Sequence, residues 1–440
     1  MSIVSIGLSS EYDLNHHWNK MYKTAGLLYV LLAAVSANYE GYKVYSVKPA
    51  NDTQIKMLGI LENTEKLDFW SRLGYRSKTV DIMAAPTEQK ELTAYLKNNN
   101  IQYEVLIDNV ETVVQQEHIE QSLSSRIFRG KISFSKYNSH SDINGYLYQL
   151  ALNYPKLVKL QDIGRSYEKR NMVVIQISLT PSANNPIIFI DAGIHAREWI
   201  SIAQALYIIY ELVENPANKD LLADVDWHIL PVVNPDGYEY SQKTGNRLWR
   251  KTRSPQDTCV GTDGNRNFDH YWGLNGASSN PCASNYKGPK PFSEVETQNL
   301  RDYLLKIKNN AKLYLTFHSY GKYILFPWGY TSELPHDEFE LRTLGKEVSD
   351  AIVKAGGPAY TVGTSTNVLY GAAGGSDDWV KGVAGIELAY TIELPGGGRI
   401  GFDLPGDAIL DVVNQTFAGV VVYGKYVSVK YQNVWRFPQN

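Results

Sequence analysis

Four short segments set the strongest limit on the fold of this chain: residues 172–179, 187–191, 227–233 and 313–317 read as strands, and the later ones are apolar almost throughout. A strand with one wet face alternates apolar and polar residues, so a run that fails to alternate belongs to a sheet covered on both sides. Longer helical stretches lie before, between and after these strands. They are 141–154, stopped by Pro155, then a helix opened by a Ser293-x-x-Glu296 capping box and running to about Asn310, then 337–355 and 408–427. From about Ile132 onward the expectation is an α/β domain with a largely buried sheet.

The preceding hundred residues have a different rhythm. A strand at 42–47 leads through Asn51 or Asp52 into a helix ending near Leu61, and strands follow at 67–70 and 79–83. A helix from Pro86-Thr87 ends at the Asn98-Asn99-Asn100 cluster, and a last strand spans 102–107. That β-α-β-β-α-β order is the ferredoxin-like layout of a small α+β open sandwich. A polar helical stretch, 111–123, then leads into Ser125–Lys131, where Arg126, Arg129 and Lys131 offer a cutting site to a trypsin-like protease. The chain therefore divides into an N-terminal segment (1–37), a sandwich with its connecting helix (38–129) and the α/β domain (130–440).

A formal net charge of −3, with no basic run interleaved with aromatics, argues against a nucleic-acid partner. Lys20 and Lys23 precede an apolar run from Ala25 to Val35, and Val35-Ser36-Ala37 follows the small-residue pattern of signal cleavage. The run is too short to span a bilayer, so the chain is expected outside the cell rather than in a membrane. About twenty polar residues stand before the basic pair, and translation from Met21 instead of Met1 fits the pattern equally. The two cysteines, Cys259 and Cys282, allow one disulfide, a metal pair or two unrelated thiols, and export favours the disulfide. Asn51 and Asn414 head glycosylation sequons.

His195-Ala196-Arg197-Glu198 follows the strand 187–191 and precedes a helix near Trp199, so it sits where open α/β sheets hold their ligands. His and Glu three apart in a tight turn can reach one ion, and a second His would complete a catalytic zinc set with one open position. The spacing by itself is common. His318, at the end of the strand 313–317, is the best remaining candidate, while His228 and His270 stay open as structural histidines.

Read in order, His195–Trp199, Asn234–Tyr238, Trp249–Arg253, Asp263–Asn267 and His318–Tyr320 resemble the digestive metallocarboxypeptidases of the A/B family, over essentially everything after the signal-like run. The resemblance implies a mixed sheet with helices on both faces, preceded by an inhibitory activation sandwich, and a zymogen that hydrolyses peptide C-termini. It implies one zinc ion per chain on His195, Glu198 and His318, with Asp263 orienting the first histidine and Glu393 as general base. It further implies that Arg253 steadies the oxyanion, that Asn265 and Arg266 hold the terminal carboxylate, and that Arg197 and Tyr320 make further substrate contacts. Tyr370 would close over the released residue. Asp377 would floor the pocket and select Lys or Arg as in the carboxypeptidase B branch; the alternative is that Asp377 and Asp378 cap the following helix. Cys259 and Cys282 match the family's disulfide. The sequence departs from the family after Glu393, where Leu394-Pro395-Gly396-Gly397-Gly398-Arg399 lacks two usual charges. The expected partners are peptide C-termini and an activating trypsin-like protease, with the enzyme a monomer. Two other readings are the same enzyme with apolar preference and a silent binder of C-termini. Residues 394–440 are expected to be too few for the added β-sandwich of regulatory relatives.

Overall fold

Continuous burial of strands on both faces organises the larger part of the molecule. In the computed structural model, which describes residues 39–62, 66–70, 79–127, 132–182, 184–398 and 401–432, an eight-stranded mixed sheet carries the cleft. The signal-like run, Arg129 and Lys131 lie outside the described residues.

The first layer is built from β1 (Lys43–Lys48), α1 (Asp52–Glu62), β2 (Asp68–Phe69), β3 (Val80–Ala84), α2 (Gln89–Asn98) and β4 (Gln102–Ile107). Its four strands lie in the order β2-β3-β1-β4, antiparallel throughout. Val47, Leu58, Ile82, Leu92 and Leu96 fill the core between this sheet and its helices. Asn51 accepts the Gln54 amide and so caps α1. The helix α3 (Val110–Ile127), which contains Arg126, leads out of this layer.

The second part contains α4 (His140–Asn153), β5 (Val158–Arg165), β6 (Asn171–Ile177), β7 (Ile187–Ala192), α5 (Trp199–Val213), β8 (Asp226–Leu230), α6 (Pro235–Ser241) and α7 (Val295–Ile307). It continues through β9 (Ala311–Ser319), β10 (Tyr323–Phe326), α8 (Glu338–Lys354), β11 (Thr361–Thr364), β12 (Leu388–Leu394) and α9 (Gly406–Gln432). The strand order is β11-β10-β12-β9-β7-β8-β6-β5, with β12, β9, β7 and β8 parallel to one another. Ile188 and Ile190 of β7 face α4, α5, α8 and α9, whereas Ile187 and Phe189 face α7. Both faces are apolar, which is why these strands read as unbroken hydrophobic runs.

Two sequence expectations need correction. The Ser293-x-x-Glu296 box does not form: the Ser293 hydroxyl donates to Glu294, and the Glu296 carboxylate accepts the Tyr167 amide instead of the start of its own helix. Strands β5, β10 and β11 escape the sequence reading, being half-polar or only four residues long. Cys259 and Cys282 are bridged. Among the described residues no helix is long and apolar enough to cross a membrane.

Candidate metal centre and substrate cleft

The parallel strands deliver the site. His195 follows β7 by three residues, His318 ends β9, and Glu393 is its register partner on β12. Neighbouring parallel strands carry their side chains to one rim at their C-terminal ends. Glu198 sits one residue before α5 and turns its carboxylate back toward both imidazoles. His195 Nδ1 lies 2.8 Å from Glu198 Oε1, and His318 Nδ1 lies 3.0 Å from Oε2 and 3.1 Å from His195 Nδ1.

All three side chains are buried, and their donor atoms lie within 4.8 Å of one another. Two ring nitrogens this close cannot both carry protons toward each other. His195 Nε2 is held at 3.0 Å by Asp263 Oδ1, a contact that puts the ring proton there and leaves Nδ1 a lone pair. A His, Glu, His set of converging lone pairs fits zinc with an open position. Burial works against charge on His318, but the Glu198 carboxylate overrides it and pushes the group up to about 9. Metal binding there would displace a proton.

A cleft of about 570 Å³ opens over this trio. Glu393, half-buried at its wall, has its carboxyl pushed up to about 7 by burial, against the pull of His318. Asn265 accepts the Ser376 amide on its Oδ1 (2.8 Å), so its amide nitrogen is left for the cleft. Arg266 commits Nε and Nη1 to the carbonyls of Gly276 and Asn265, which fixes the guanidinium plane at the cleft wall. Gly374, at φ 79°, lets the next turn pass so close that a Cβ there would lie 2.6 Å from the Arg266 carbonyl. Tyr370 also lines the cleft.

Asp377 and Asp378 separate cleanly. The N-cap of the one-turn helix Ser376–Trp379 is Gly375, and the Asp377 carboxylate accepts amides of the first turn, its own and that of Asp378. Asp378 instead accepts the amides of Gly329 and Tyr330 at 2.8–2.9 Å. Asp377 lines the cleft, buried, bonded to the Thr391 hydroxyl at 3.1 Å, and burial raises its pKa.

Arg253 is not in the cleft. Its guanidinium stacks over Tyr240 (3.6 Å) and Trp249 (4.5 Å), and its Nε is 3.9 Å from Glu168. Arg250, which the sequence reading passed over, lines the cleft in its place. It pairs with Asp263 Oδ2 at 2.9 Å and lies 3.5 Å from Glu198. The Ala196 amide bonds the Arg250 carbonyl, which ties the two motifs together. Both arginines stand in one quoted motif, and only this pairing tells them apart. His228 is bonded to the Tyr303 hydroxyl and His270 packs on Trp328 and Tyr330, and neither lines the cleft.

The smaller layer reaches the same cleft. Asp68 pairs with Arg197 at 2.6 Å, Asp81 accepts the Tyr320 hydroxyl at 3.0 Å, and Trp70 stands edge-on to Phe402, with centroids 5.8 Å apart. From α3, Glu117 holds Arg247, which is fully buried over the Trp199 ring at 3.6 Å. The glycine loop after Glu393 packs on Tyr320: a Cβ on Gly401 would lie 2.4 Å from its ring, so side chains are excluded there.

Residues 143–419 match the zinc carboxypeptidase family, and residues 45–117 match the carboxypeptidase activation peptide. A carboxypeptidase B of Astacus astacus is 46% identical over 304 residues, covering 68% of this chain and all of that one. The carboxypeptidase B of Rattus norvegicus is 37% identical over 412 residues, covering 91% of this chain and 97% of that one. The crystal structure of the carboxypeptidase A from Helicoverpa armigera superimposes with a TM-score of 0.85 at 31% identity, covering 89% of this chain and 98% of that one.

Proposed function

Since this chain belongs to the zinc carboxypeptidase family and carries its activation peptide, we propose that it is the secreted zymogen of an exopeptidase that releases C-terminal Lys or Arg. Trypsin-like cutting among Arg126, Arg129 and Lys131 activates it, and the run from Ala25 to Val35 directs export. The observation that carries the specificity is Asp377: a buried carboxylate that lines the cleft and is bonded to the Thr391 hydroxyl, with no cationic partner among the described residues. A carboxylate there rewards a cationic side chain and is left unpaired by an apolar one.

His195, Glu198 and His318 would hold the zinc, oriented through Asp263. When bound, zinc supplies Lewis acidity toward the scissile carbonyl and acidifies water. Glu393 takes the proton of the attacking water and passes it to the leaving amine; its raised pKa suits both halves of that task. Arg250, rather than Arg253, donates to the carbonyl oxygen as negative charge develops there. Asn265 and Arg266 hold the terminal carboxylate, Arg197 and Tyr320 contact the chain upstream, and Tyr370 closes over the released residue.

The test is release of the last residue from matched peptides ending in Lys, Arg, Leu or Phe, before and after limited trypsin treatment, with a chelator control. Trypsin-dependent, chelator-sensitive release of Lys and Arg is expected, and Asp377→Ile should turn the preference toward Leu and Phe. Preferential release of Leu or Phe by the unaltered enzyme would discard the role given to Asp377.

A further inference from the structure

The smaller layer meets the cleft through a set of contacts that share one chemistry. Each polar group it engages on the larger part is a donor, and apart from the Tyr39 hydroxyl, which accepts the Leu248 amide, the side chains it offers are carboxylates: Asp68 to Arg197, Asp81 to Tyr320, Glu117 to Arg247. Asp81 and Tyr320 line the cleft itself, together with Trp70 and Phe402, and the other two contacts adjoin this wall through Phe402, whose ring lies 4.5 Å from the Arg197 guanidinium and whose carbonyl accepts from Arg247. Among the described residues no hydrogen bond or ion pair joins the smaller layer to Asn265, Arg266 or Asp377. Among the described residues the smaller layer thus makes its polar contacts away from these three groups, on the side left for the chain upstream of the scissile bond.

Removing the activation segment leaves this side with a deficit of negative charge. All three carboxylates precede every candidate cutting position, so they depart together. Arg197 is 2% exposed with its Nε unpartnered, and its guanidinium lies 4.5 Å above the Phe402 ring, so it cannot simply fold away into an internal ion pair. Arg247 keeps the carbonyls of Arg197 and Phe402 but loses the Glu117 carboxylate. A buried or half-buried cation stripped of its counter-charge favours a new anion.

We infer that the activated enzyme selects substrates bearing acidic residues in the two or three positions upstream of the attacked carbonyl, and that the activation segment's carboxylates occupy those positions in the zymogen. The substrate class is then a peptide with a basic last residue and an acidic stretch shortly before it. This rests on the exopeptidase reading given above.

The experiment uses trypsin-activated enzyme and three peptides identical except that the two residues before the penultimate one are Glu-Glu, Gln-Gln or Lys-Lys, all ending in Ala-Lys. At low salt kcat/KM should be at least about fivefold higher for Glu than for Gln, with Lys below Gln, and the ratio should shrink toward one near 0.5 M salt as screening sets in. Arg197→Gln should collapse the Glu-to-Gln ratio, and Arg197→Lys should restore part of it; both changes avoid the fully buried Arg247. Equal rates for Glu and Gln peptides at low salt overturn the inference alone. Absence of release from every peptide overturns the exopeptidase reading with it.

Discussion

Arg250 and Arg253 stand three residues apart and face opposite surroundings, one salt-bridged beside the metal trio and the other stacked on two aromatic rings. Their substitution should therefore separate chemistry from packing. Arg250→Gln should lower kcat about 10²- to 10³-fold, as expected for loss of one oxyanion donor. Arg253→Gln should keep kcat within a few-fold and cost about 0.5–1 kcal/mol of stability through the lost stacking. Steady-state kinetics and a urea titration check the pair, and equal losses of kcat would return the role to Arg253. The sequence made the motif legible but not the choice within it, because the choice depends on Asp263, thirteen residues away, reaching back to Arg250 Nη2. His195 and His318 were legible for the opposite reason, since apolar strands lead into them, and Glu198 followed from its place three residues after His195 in the motif.

At the level of elements, the buried parallel strands announced themselves while the short β10 and β11 did not, since four residues give periodicity too little to work on. The capping signature before α7 failed because tertiary partners outbid it. Glu296 holds the β5–β6 turn through the Tyr167 amide, and its other oxygen is buried without a partner. Burial, with the charges of Glu294 and Asp236 nearby, pushes this carboxyl up to about 7 from an ordinary 4.5. The neutral form is thus the one the fold prefers. Its contribution is fully present below about pH 4.5 and is lost as pH rises through about 7. Glu296→Gln, which stays neutral, should gain on the parent protein between pH 5 and pH 8 by on the order of 1–3 kcal/mol, read from denaturation midpoints. A difference that stays constant with pH would show that the carboxyl ionises without penalty.

Across the whole molecule, the smaller layer is seated by charge as well as by the apolar patch that joins Val44, Trp70 and Val110 to Leu248 and Phe402. Glu117→Gln leaves Arg247 buried without its counter-charge, at a cost of about 3–5 kcal/mol to the seated state. The uncut variant should show raised release of C-terminal residues before any trypsin is added, and an unchanged background would mean that the apolar patch alone holds the layer down. The two-part organisation was legible in the shift from short alternating elements to long apolar ones. The acids that join the parts were not, because Asp68, Asp81 and Glu117 lie in unremarkable polar stretches and acquire meaning only through partners 129, 239 and 130 residues downstream. Trp70, 8% exposed against Phe402, gives this seating an optical signature. Once the segment lifts away its indole passes from an apolar contact into water, and its emission should move to longer wavelength, so that unmasking of the cleft can be followed in real time without a substrate or a label.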